Sequence, residues 1–195
     1  MQAALNVVYS GQSSTDEMGR DALTMVQTLS KLDPNTYHPA HSAHYPASEF
    51  GVALQQAAML IKAEVGLEVA AIDHGGWDTH FAQATQMLHL LQDLSDGLGA
   101  FYTDLHDHMQ HMTLVVMSEF GCWLQESGSL GTDHGHGSMM MLLGGHVLGG
   151  KVHGRWPGLN DGQLVGPGDL AVTTDYRDVL AEVCRTRLGT ERPPA

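Results

Sequence analysis

Basic residues are the first shortage in this chain. Lysine and arginine together number nine against 22 aspartates and glutamates, giving a formal net charge of -13 with histidine neutral. Phosphate backbones and anionic lipid surfaces are bound through clustered cations. No run of Lys or Arg occurs, so nucleic acid and membrane surfaces are not expected partners. Acidity of this size also serves plain solubility. Charge of either sign is sparse, at 16% of residues against 43% hydrophobic, which suits a folded domain rather than a disordered one. Cysteine is nearly absent. Cys122 and Cys184 lie far apart without a CxxC, which excludes a zinc ribbon or thioredoxin-type motif. Two reduced thiols are a simpler reading than a disulfide. No apolar stretch approaches the ~20 residues needed to span a bilayer. The opening, MQAALNVVYSGQSS, has neither the basic n-region nor the apolar h-region of a signal peptide. Taken as it stands, the chain is expected to be soluble and cytoplasmic, or periplasmic or exported if it derives from a longer precursor.

Histidine is what the chain has in excess, 13 residues, scattered and therefore not a purification tag. Histidine titrates near neutral pH and is the commonest metal ligand. Periodicity places helices around them. Leu23, Val26 and Leu29 share a face over 20–32, and a second helix follows Ser48 as N-cap with Gly66 as its stop. The proline-rich loop between them holds His38, His41 and His44, which read as solvated loop residues before they read as a ligand cluster. A long helical pattern runs from Phe81 to about His108, weakened by Gly97 and Gly99, where a kink is expected. Three apolar runs read as strands: LEVAAID, MTLVVMSEF and SMMMLLGG. The Gly-rich stretch to Gly168 reads as hairpin or loop. A helix capped by Thr173 or Thr174 and ended by Gly189 closes the chain, before a frayed TERPPA tail. Helix-to-strand alternation argues for an α/β sandwich.

Two Gly-rich turns follow predicted strands, where open α/β sheets bind ligands. The first, IDHGGWDTH, supplies Asp78 and His80, with Asp73 and His74 in reserve. The second, GTDHGHGS, supplies Asp133 and His134, with His136 in reserve. A divalent ion needs several oxygen and nitrogen donors within ~2.0–2.6 Å of one point, and loops at neighbouring strand ends could provide them. The same residues also form turns and caps, and Asp78-Thr79 could cap the helix beginning near Phe81. Glu119, at a strand end beside the second motif, is the best-placed general base, with a surface carboxylate as its other reading. Thr132 and Ser118 are candidate nucleophiles by position alone. Cys122 reads better as a buried inert thiol than as a ligand. Arg155 is the nearest cation for an anionic substrate, within a GGKVHGRWPGL stretch that could be a lid, while Trp156-Pro157 reads as a packed corner.

GGWDTH, SEFG, GTDHG, GGKVHGRWPGL and TTDYRDVLAEV occur here in that order. The chain in this respect resembles the bacterial family of domain of unknown function 1501 over about Ser48 to Gly189. That family is in turn similar to the alkaline phosphatase and sulfatase superfamily of metal-dependent ester hydrolases. The resemblance implies a three-layer sandwich with a mostly parallel sheet, and a pair of metals at the strand ends. On it, Asp133-His134-Gly135 match the usual Asp-His-Gly element, and Asp78 with His80 match the other Asp/His turn. Length and the lack of internal repeats argue for one domain over 1–195, with a poorly defined N-terminal segment over 1–46, and the resemblance implies an alkaline phosphatase-like core over 47–189. Two departures stand out. The family's N-terminal nucleophile strand has no match, so the chain is expected to be truncated, and Cys122 stands where the family shows an arginine after SEFG. A missing strand would leave sheet edge and apolar surface exposed, so a homodimer is expected.

The expected function is hydrolysis of a small anionic phosphate or sulfate ester by metal-activated water, with zinc first and manganese or calcium next. A catalytically inactive metal-binding or scaffolding protein that kept the fold is the alternative. A copper redox protein is a third reading, disfavoured because Asp-rich turns suit harder ions.

Overall fold

The computed structural model describes residues 8–190. The segment MQAALNV, on which the signal-peptide reading rests, and the end of the tail, 191–195, lie outside the described residues. A helix lying wholly within the described residues, α1 (Ser14–Leu29), starts where Ser13 and Asp16 close a capping box, ahead of the Arg20 start expected from apolar spacing. Its stripe of Met18, Met25, Val26 and Leu29 faces solvent, and none of its residues is buried. Helix α2 (Glu49–Lys62) is capped as expected, Ser48 Oγ accepting the Gly51 N–H at 3.1 Å. It ends before Gly66, because Glu64 already turns left-handed at φ 51°.

Helix α3 (Gln83–Asp104) lies against α2. Phe50, Leu54, Ala57 and Ala58 of α2 meet Phe101, Leu105 and Met109 to form the buried core. Gly97 belongs to that contact. A Cβ on it would sit 2.7 Å from Phe50 Cε1 and 3.0 Å from Leu54 Cδ1, so the residue that lowers helix propensity is what lets the helices approach. The last residue of α3, Asp104, is a buried node. It accepts hydrogen bonds from Tyr37 Oη at 2.5 Å, Tyr45 Oη at 2.8 Å, the Ala40 N–H at 2.6 Å and Lys62 Nζ. The segment before Ser48 is thereby tied into the core, and Tyr37 and Tyr45 pack on it. Burial pushes the Asp104 carboxyl up, but the hydrogen bonds, Lys62 first, outweigh it and hold the group below the usual carboxylate range.

Four short strands follow. β1 (Thr113–Val116) pairs antiparallel with β4 (Met141–Gly144), and β2 (Gly121–Cys122) pairs antiparallel with β3 (His134–Gly135). Two of the three expected strands are therefore present in shortened form. The run LEVAAID is extended but joins no ladder among the described residues. No strand pairs in parallel among the described residues. A parallel pair needs a crossover connection, usually a helix, and the chain from Val116 to Met141 contains none. The parallel three-layer sandwich thus stays an implication of the resemblance. Helix α4 (Tyr176–Leu188) is capped by Asp175 rather than Thr173 or Thr174, and ends at Gly189, φ 64°. Near its end Arg187 reaches Thr113 Oγ1 at 2.7 Å and the carbonyls of Met112 and Gly145, holding the helix to the open end of the β1–β4 pair. No helix among the described residues is long and apolar enough to cross a membrane.

Replacing Asp104 leaves Lys62 and two tyrosine hydroxyls without their acceptor, so Asp104→Ala is expected to cost about 3–5 kcal/mol in chemical denaturation. The lowered carboxyl pKa fixes the sign of the pH dependence. Its stabilisation is complete above the unfolded-state value of about 3.9 and is lost as pH falls through the lower folded value. Acid titration followed by circular dichroism should therefore show an unfolding step below about pH 4 that Asp104→Asn lacks.

Candidate metal centre

The two motif loops meet because one glycine lets them. A Cβ on Gly131 would lie 2.2 Å from the His80 carbonyl carbon and oxygen and 2.6 Å from the Thr79 oxygen. No other residue type fits that crossing. The loop before Gly131 also caps α3: the N–H groups of Ala82 and Gln83 donate to the carbonyls of Ser129 (3.1 Å) and Leu130 (2.9 Å). Ala82 makes no side-chain cap, and Asp78-Thr79 does not supply one, which leaves the Asp78 carboxylate free for other work. Gln83 then staples the loops, its Nε2 donating to Thr79 Oγ1 and Thr132 Oγ1, each at 3.0 Å. Thr79 is buried beneath the crossing.

On top of that staple, Asp78, His80 and His134 converge, and they form the one potential metal-holding group among the described residues. Asp78 Oδ1 lies 2.8 Å from His80 Nε2 and 3.2 Å from His134 Nε2, and the two Nε2 atoms are 3.1 Å apart. His80 Nδ1 donates to the Thr132 carbonyl at 2.9 Å. A carbonyl only accepts, so in the neutral ring the Nε2 lone pair is left facing the group. A tetrahedral ion with bonds of ~2.0–2.1 Å needs ligand atoms about 3.3 Å apart, close to the triangle observed. The side chains of Asp78, His80 and His134 are 71%, 41% and 46% exposed, so the face opposite the protein is open. Phe120, itself exposed, tilts against the His134 ring at 4.3 Å and makes an apolar wall beside it.

The other expected ligands are arranged differently. Asp133 is close, with Oδ1 3.6 Å from His80 Nδ1, but on the far side of that ring from the triangle. Asp73 is exposed and outside the group. His74 turns inward, stacking on Phe50 at 4.3 Å and pairing its Nε2 with Asp93 at 3.1 Å. His136 is drawn off by Asp169, a buried carboxylate that accepts from His136 Nδ1 at 2.6 Å and from the N–H groups of His136 and Gly137. With Nδ1 so occupied and the ring aimed at Asp169, His136 joins no ligand group. Burial raises the Asp169 carboxyl and the His136 and Gly137 hydrogen bonds outweigh it, so it ionises below its ordinary range.

Glu119 is exposed, and no hydrogen bond or ion pair links it to the triangle. The hydroxyls of Thr132 and Ser118 both accept hydrogen bonds, from Gln83 and from the Phe120 N–H. Arg155 is exposed, no hydrogen bond or ion pair links it to the group, and its neighbour Trp156 is 73% exposed rather than a packed corner. Cys122 is exposed too, not a buried thiol, on the strand facing His134. Gln83 and Asp169 have no signature in the chain: Gln83 is an ordinary first-turn helix residue and Asp169 sits in a GPGDL turn.

These features define a mixed helical and antiparallel-strand chain with an open Asp/His/His group held between two glycine turns. The chain belongs to the family described as "Protein of unknown function (DUF1501)", whose profile matches residues 11–184. The match takes in α1 and the loop after it, beyond the Ser48 to Gly189 stretch that carries the motif resemblance. No curated protein and no solved structure matches the chain.

Because the triangle depends on the Gly131 crossing, Gly131→Val should separate the loops and weaken zinc binding by at least about tenfold, the lower end of what loss of a supporting contact costs a metal site. Isothermal titration of both proteins measures it. Gln83→Ala should weaken binding in the same direction and by less.

Proposed function

We propose that this protein is a divalent-metal-dependent hydrolase of small anionic esters, phosphate or sulfate esters first, with Asp78, His80 and His134 holding the ion. What supports this reading above all is a three-donor group with an open face. Structural zinc sites are closed by four protein ligands, whereas catalytic ones use three and leave a position for water or substrate. Two imidazoles and one carboxylate suit zinc, with manganese or calcium as the harder alternatives. When bound, such an ion polarises an ester oxygen and makes water acidic enough to attack near neutral pH.

The protein's own residues have separable parts in this. Thr132, through its carbonyl, holds His80 in the tautomer that presents Nε2. Asp133, beside the same ring, adds negative charge that favours a cation. Phe120 shields one flank of His134 from water and offers an apolar surface to the ester's organic group. Glu119 as base and Arg155 as anion-binding cation are proposed from their places in the sequence alone, since neither is linked to the triangle.

A metal-binding or scaffolding role without turnover is the second reading. The observation that favours it is that Glu119 lies outside the triangle and that no basic side chain hydrogen-bonds to the Thr132 or Ser118 hydroxyl.

Metal analysis of protein purified without chelators should find one zinc per chain. Asp78→Ala, His80→Ala and His134→Ala should each abolish it. Hydrolysis of p-nitrophenyl phosphate or sulfate should fall by at least about a hundredfold on EDTA treatment, as loss of a metal's charge stabilisation implies, and return with zinc. Stoichiometric zinc with no hydrolysis of any ester selects the scaffolding reading. Protein that binds no divalent ion, or hydrolysis that survives the His134 substitution, overturns both.

A further inference from the structure

The run Leu67–Ile72, which reads as a strand in the sequence, is extended, and among the described residues its backbone has no neighbour. From Val65 to Gly76 no main-chain N–H or carbonyl makes a hydrogen bond to another described residue. Its side chains are apolar as well. Val69 is 67% exposed and Leu67 37%, while only Ile72 packs on the core. An extended apolar segment with unpaired backbone is a template for another strand. The whole chain carries surplus surface in keeping with this: it exposes 13828 Å², where a compact 21.0 kDa protein exposes about 9,000 Å². Obligate two-fold interfaces bury about 2,000–5,000 Å² over both partners, half of it from each chain, and that half lies within the surplus of one chain.

We infer that Leu67–Ile72 is the contact strand of a two-fold homodimer, pairing antiparallel with the same segment of a second copy. The occupant is a second copy because the segment is complementary to itself. Antiparallel pairing of two identical strands puts the symmetry axis through a residue, so that equal faces match. With the axis at Val69 or Ala70, Glu68 lies across from Ala70 or Ile72 of the second copy, and Asp73 across from Val65 or Leu67. No carboxylate opposes another, and the uncharged run Val69–Ile72 keeps the protein's net charge of -13 away from the axis. The strand leads straight into Asp73–His80, so the pairing also anchors the first motif loop from its N-terminal side. This inference is independent of the proposed hydrolase activity, and its test reads mass and amide protection rather than catalysis.

The test is light scattering after gel filtration on the full chain at 5–100 µM concentration (about, chosen to span typical interface affinities), with hydrogen–deuterium exchange on the same samples. Wild type should elute at twice 21.0 kDa, with slow exchange over 67–72. Val69→Asp sets two carboxylates beside the axis, and Val69→Pro removes a ladder donor that has no partner among the described residues of the protomer. Both variants should elute as monomers with fast exchange over 67–72 and an unchanged far-ultraviolet spectrum. A monomeric wild type, an assembly larger than two, or a dimer that survives both variants overturns the inference. So does loss of fold in both variants, since that would show Val69 to be needed inside the protomer.

Discussion

The backbone crossing of Gly131 over Thr79 and His80 is the constraint on which the candidate site rests. Loops some fifty residues apart along the chain are brought to contact at a distance only a residue without a side chain permits. The crossing is made specific by hydrogen bonds that do several jobs together. Ser129 and Leu130 satisfy the first free N–H groups of α3, which would otherwise need a capping side chain. Gln83 joins a threonine from each loop, and the Thr132 carbonyl sets the His80 tautomer. The imidazoles and carboxylate above are aimed as a consequence.

Helix α3 carries that arrangement to the core. Its first residue, Gln83, is the staple under the site, and its last, Asp104, is the buried acceptor for Lys62, Tyr37, Tyr45 and the Ala40 N–H. With 22 residues it spans about 33 Å at 1.5 Å per residue. Between the two ends, Gly97 lets α2 close against it. Asp169 plays a matching part on the other loop, where one buried carboxylate gathers His136 and Gly137 and leaves room only for a glycine at 135. Buried carboxylates thus anchor the far end of α3 and the second motif loop.

The helices were legible to a useful degree. Ser48 and Gly189 mark real ends, whereas the start of α1 was set by the Ser13–Asp16 box that apolar spacing does not register. The strands were less so. LEVAAID has the composition of a buried strand and no partner among the described residues, because pairing belongs to two segments and composition to one. Of the named ligand candidates, Asp78, His80 and His134 meet, Asp133 stands beside them, and Asp73, His74 and His136 do not. His74 and His136 were lost to Asp93 and Asp169, competing acids that lie elsewhere in the chain.

By itself the sequence determined the chemistry on offer: acidic, poor in cations and thiols, with aspartate and histidine concentrated in two glycine turns, and it places the chain in its family by a match over residues 11–184. Only the tertiary structure decided which imidazoles face one point. That choice turns on sub-ångström clearances at Gly131 and on which distant carboxylate reaches each ring first. Both are properties of packing, and no local pattern of residues encodes them.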